Sequence, residues 1–144
     1  MILQIAIGAS VPDVWSQLAD LRSHADWMGD AEEVSFQTPQ TSGVGTTMRV
    51  PTRVGPFRTT DLLTVIEWEE NRVMTVTHDG TVTGTGRFEI HPSPTGTTLT
   101  WTEDLRFPWW LGGPVGAFFG GLILRPIWKR NLARFKSLVE ERPG

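Results

Sequence analysis

The sequence predicts an α+β domain: a curved antiparallel sheet of about seven strands wrapped around a long C-terminal helix, with two short helices after the first strand. Three observations carry this. A strand-like start runs straight into a capped helix. Residues 33–107 then read as strands joined by short turns. The chain closes on a charged, helix-patterned tail from Arg125 to Arg142.

Met1 to Ile7 is apolar at positions 2, 3, 5 and 7, as a strand would be. Ser10, Pro12 and Asp13 form a Ser-x-x-Asp helix start with proline in the first turn. The predicted helix spans Val11 to Leu21, and Val14, Trp15, Leu18 and Leu21 form its apolar stripe. A second helical turn is expected over His24–Met28, closed by Gly29-Asp30.

Six strands follow: Glu33–Thr38, Thr46–Arg53, Phe57–Trp68, Val73–His78, Thr81–Ile90 and Thr97–Phe107. Asp79-Gly80 signals a hairpin, and residues 92–96 a second tight turn. Short connections between consecutive strands imply an antiparallel meander. Gly84 and Gly86 within one strand suggest a bend. Trp68 alternates with Leu62 and Ile66, but Leu63 and Val65 make the other face apolar too, so its facing stays open. After Pro126, apolar residues from Ile127 to Val139 recur mostly three to four apart, with charges between them. Pro126 should kink this helix or mark where its straight part begins. A helix laid across the concave face of the sheet encloses a space, either packed or hollow.

The bulk properties narrow the partners. A length of 144 residues suits one domain, residues 1–144. The absence of cysteine removes disulfides, thiolate nucleophiles and Cys-ligated metals. A net charge of −3 with scattered cations disfavours nucleic acid. The three histidines, at 24, 78 and 91, have no metal-binding spacing, so neither metal nor cofactor is expected. No secretory signal is evident, which points to a cytoplasmic protein. A monomer or weak homodimer is expected.

The run Phe107–Leu124 carries no charge over eighteen residues. It barely reaches spanning length, and two prolines and five glycines interrupt it. It therefore reads as the glycine-loosened front of the C-terminal helix, closing over an apolar space, with peripheral membrane contact as an option.

Strand alternation supplies the candidate site. On the last strand, Leu99, Trp101, Glu103, Leu105 and Phe107 share the inward face. A carboxylate there, at Glu103, is a candidate acid, base or ligand anchor; the plainer alternative is an ion pair with an arginine near the open end of the sheet. His78 shares a face with Met74 and Val76 and is a candidate pocket base, or else a surface residue beside the turn. His24 and Asp26 flank Trp27 at a prospective pocket mouth, and His91 begins a turn and is expected to be exposed. Trp27, Phe88, Trp101, Phe107, Trp110, Phe118 and Phe119, with Met74, are the remaining candidate walls. Simple core packing is expected to claim about half of the aromatics.

These stretches resemble a known family. Ser-Val-Pro-Asp-Val-Trp-Ser-Gln-Leu-Ala-Asp (10–20), Trp27, Gly43-Val-Gly45 and Gly-Thr-Thr-Leu-Thr-Trp (96–101) are similar, in order and spacing, to the signatures of the SRPBCC superfamily. Its fold is the helix-grip, and it includes START lipid-transfer domains, birch-pollen-allergen-like proteins and polyketide cyclase/dehydrase-like bacterial proteins. The resemblance implies binding of a hydrophobic small molecule between sheet and helix. It leaves three readings open. One is a non-catalytic carrier of a lipid, quinone, isoprenoid or polyketide-like molecule, with Trp109–Leu124 as a mobile lid or mouth. The second is a cyclase/dehydratase-like enzyme using Glu103 and His78 as acid and base. The third is a peripheral membrane protein that inserts Trp109, Trp110, Phe118 and Phe119 beside Arg125, Lys129 and Arg130. The lack of Tyr and Cys favours the carrier.

Overall fold

The structure, a computed structural model, describes residues 1–141; Arg142, the last residue of the expected tail, lies outside them. Strand β1 (Ile2–Ile7) leads into α1 (Val11–Ala19), a short 3-10 turn (Leu21–Ser23) and the single-turn helix α2 (His24–Trp27). Ser10 caps α1, its hydroxyl accepting the Asp13 amide at 3.3 Å. Val14, Trp15 and Leu18 are the buried face of α1.

Six strands follow: β2 (Ser35–Phe36), β3 (Thr47–Val54), β4 (Phe57–Glu69), β5 (Val73–Asp79), β6 (Thr83–Ser93) and β7 (Gly96–Arg106). They form one sheet of seven antiparallel strands, in the order β1-β7-β6-β5-β4-β3-β2. The β2 segment is shorter than the expected Glu33–Thr38, pairing only Ser35 with Arg49 and Phe36 with Met48. The two hairpins, at 79–83 and 93–96, turn where glycine and proline signalled them; the second is tighter than expected, with Ser93 paired to Gly96, while in the first β6 starts at Thr83, later than the expected Thr81.

The facing of Trp68 is settled by a bulge. The β4–β5 register shifts between Val65 and Glu67, so Ile66 is an extra residue and is exposed. Parity flips there. Trp68 thereby joins the face of Leu63 and Val65, away from the Leu62 and Ile66 set, and packs edge-on to Trp15 at 5.3 Å.

Helix α3 (Gly113–Glu140) follows a 3-10 turn at Trp109–Leu111 and carries Pro126 inside it. Its two halves behave differently. All its buried residues (Trp128, Asn131, Leu132, Phe135 and Val139) follow the proline. Before it, Val115, Phe118, Phe119, Leu122 and Ile123 are exposed. Gly120 makes a close approach: a Cβ there would lie 2.6 Å from the Phe107 ring. No helix among the described residues is long and apolar enough to cross a membrane.

Candidate functional site

Between the inner face of the sheet and the front half of α3 lies a cavity of about 690 Å³. Met48, Val50, Leu63, Met74, Val76, Phe88 and Trp101 form its sheet wall; Leu111, Val115, Phe119 and Ile123 close the helix side. Its polar lining is Asp30, Thr52, Thr59, Asp61, His24, His78 and Glu103.

The geometry around Glu103 follows from register. Glu103 on β7 sits opposite Gly86 on β6, and Gly86 sits opposite Val76 on β5. A Cβ at position 86 would come within 2.5 Å of Glu103 Oε1. Glycine there leaves the carboxylate free to lie over β6 and reach the next strand. His78 Nε2 donates to Glu103 Oε2 at 3.0 Å, and Trp101 Nε1 donates to Oε1 at 2.9 Å. Glu103 is 6 % exposed. Burial pulls the His78 pKa down, but the hydrogen bond and charge of Glu103, helped by Asp61 and Asp30, outweigh it, and the net shift is upward. With Nε2 committed, Nδ1 has no protein partner among the described residues.

Asp61, His24 and Asp30 are the other ionisable groups of the wall. Burial raises the Asp61 pKa against the opposing charge of His78 and the hydroxyls of Thr59 and Thr52, and its buried Oδ1 has no hydrogen-bond partner. His24 donates Nε2–H to the Leu18 carbonyl at 2.7 Å, and burial lowers its pKa, so it is neutral near pH 7. Asp30 accepts from Asn131 Nδ2 at 2.8 Å and Trp128 Nε1 at 3.3 Å, while Asn131 Oδ1 accepts the Gly29 amide at 3.0 Å. This clasp fixes the docked half of α3 to the loop after α2.

Of the residues singled out in the sequence, Met74, His78, Phe88, Trp101, Glu103, Phe107 and Phe119 line the cavity. Three do not. Trp27 is fully buried in the packed core, with ring centroids 5.0 Å from Phe135 and His24; in a single-turn helix His24 takes the lining position and Trp27 lies beside it. Phe118 points to solvent because consecutive helical residues are about 100° apart and Phe119 takes the inward direction. Trp110, in the 3-10 turn, is exposed as well. Asp26 and His91 are also exposed. Glu103 pairs with a histidine, where an arginine was the plainer expectation. Sequence reading missed Asp61 as a site residue: it shares the inward parity of Leu63, but β4 is apolar on both faces and gives no contrast to read.

The sequence matches the family described as polyketide cyclase / dehydrase and lipid transport over residues 3–140. The chain belongs to this family. Among solved structures, the fold of this family member is similar to the Zhui aromatase/cyclase from Streptomyces sp. R1128, with a TM-score of 0.77 and 18 % identity over 99 % of this chain and 93 % of that one. TTHA0849 from Thermus thermophilus gives 0.76 and 17 % over 96 % and 95 %. Ginseng major latex-like protein 151 from Panax ginseng gives 0.72 and 10 % over 95 % and 94 %. At these identities the likeness is one of fold. No curated protein matches the sequence.

Proposed function

We propose that this polyketide cyclase/dehydrase and lipid transport family member binds a hydrophobic small molecule, a lipid, quinone, isoprenoid or polyketide-like ring system, between the sheet and α3. The cavity is the observation that carries this reading. The space opens to solvent along the front of α3, where Val115, Phe119 and Ile123 are exposed, and most of its lining is apolar. A mostly apolar wall holds water poorly, so a hydrophobic occupant would gain by displacing it. The volume falls within the roughly 300–1,000 Å³ of ligand pockets. The His78–Glu103 pair would fix the polar end of the ligand, with Met74, Phe88, Trp101, Phe107 and Phe119 around its body. Nile red, a neutral apolar dye, tests this: wild type should bind it at one site, and Val76→Trp, which narrows the space, should weaken binding while far-UV circular dichroism stays unchanged. Undiminished binding by a folded Val76→Trp protein would contradict the reading.

The His78–Glu103 pair favours a second reading, cyclase/dehydratase-like acid–base chemistry. Dehydrative ring closure needs a proton removed from carbon next to a carbonyl and a proton delivered to the hydroxyl that leaves as water. A histidine oriented by a carboxylate at Nε2 and open at Nδ1 can do both in turn. Glu103→Gln and His78→Ala should then abolish turnover of a polyketide-like substrate while leaving its binding within about threefold; unchanged turnover would end this reading.

Charge distribution favours a peripheral membrane contact by the cavity mouth. Between Leu105 and Val139 the chain holds six basic residues and none of its sixteen acidic ones. Trp109, Trp110 and Phe118 are exposed, and Arg125, Lys129 and Arg130 follow on the exposed part of α3. Aromatic residues would enter the lipid while the cations meet anionic headgroups.

A further inference from the structure

The charges that line the cavity restrict its occupant beyond being hydrophobic. Of the twelve lysines and arginines among the described residues, none lines the cavity. Three carboxylates are: Asp30, Asp61 and Glu103. Of the two histidines present, His24 is kept neutral by burial, and His78 is already matched by Glu103 at 3.0 Å. The wall is therefore net negative. The usual partner of a buried anion, an arginine or lysine, is missing from it.

The carboxylates differ in how well they are satisfied. Both Asp30 oxygens accept protein donors, as do both Glu103 oxygens. Asp61 lines the space with its side chain partly accessible, while its Oδ1 is packed against Gly80, out of reach of solvent and ligand alike. Its charge is met only by the Thr59 and Thr52 hydroxyls and by a His78 already paired with Glu103, so a ligand cation beside it would add the countercharge it lacks. A ligand carboxylate would instead be stripped of water beside three acidic groups with no free cation.

We propose that the cavity excludes anionic amphiphiles and takes hydrophobic molecules whose polar end is a hydrogen-bond donor, tightest when that end is an amine cation placed against Asp61. This rests on the hydrophobic-ligand reading above. The raised Asp61 pKa, caused first by burial, is consistent with a carboxylate that has no lysine or arginine beside it.

The test is displacement of Nile red by decylamine, 1-decanol and decanoate, each below its aggregation concentration, at pH 7.5. Decylamine should bind about tenfold or more tighter than decanoate, with decanol between them. In Asp61→Asn the advantage of the amine over decanoate should fall about fivefold or more. Thermal denaturation of that variant confirms that it is folded, and the wild-type order stands as a test by itself. Decanoate binding as tightly as decylamine, or an amine advantage unchanged in Asp61→Asn, would overturn the proposal while leaving hydrophobic binding intact. Failure of Nile red and all three amphiphiles to bind would overturn both.

Discussion

At the scale of single residues, the account turns on Gly86 as much as on the residues it separates. Its missing side chain is what brings Glu103 on β7 to His78 on β5. Gly86→Ala should push the carboxylate aside, cost about 1–3 kcal/mol in urea denaturation and lower the His78 pKa measured by NMR titration. An unaltered His78 pKa would show that the pair does not depend on this clearance. The raised pKa of His78 also sets a pH dependence. Its ordinary value is 6.5, so the stabilisation is complete below that and is lost as pH rises through the higher value of the folded state. Unfolding free energy should therefore fall across that window in wild type and stay flatter in Glu103→Gln. The inward facing of Glu103 was legible from the alternation Leu99, Trp101, Glu103, Leu105. Its partner was not, because the pair depends on three-strand register and a glycine that local pattern reads only as a bend.

At the scale of elements, α3 joins two helices of different character at Pro126. The half after the proline is core. Phe135→Ala, at a fully buried position, should cost about 3–5 kcal/mol, whereas Phe118→Ala, before the proline and 65 % exposed, should stay within about 0.5 kcal/mol in urea denaturation. Equal effects would mean that the front half is docked as firmly as the back. The amphipathic back half was plain in the sequence because its period is regular and its charges alternate with its apolar residues. The Ile66 bulge was not, since a run apolar on both faces leaves no contrast by which a shift of parity could be read.

At the scale of the whole molecule, element order and capping made the architecture legible: a sheet gripping a helix follows from strand, helices, meander and amphipathic tail. The cavity was not legible, because hollow and filled interiors use the same apolar residues. Their difference lies in how far the front of α3 stands off the sheet. The one-sided charge of residues 105–139 leads to a prediction for the whole protein. It should float with vesicles containing phosphatidylserine and not with purely zwitterionic ones, and Trp109→Ala/Trp110→Ala should reduce flotation at least about fivefold. No flotation of wild type would remove the membrane contact without touching the cavity. The cavity itself is tested most directly by native mass spectrometry of the protein purified from its own host. The account predicts a one-to-one adduct that organic solvent releases as a hydrophobic molecule; a bare protein mass from protein that also fails to bind Nile red would contradict it.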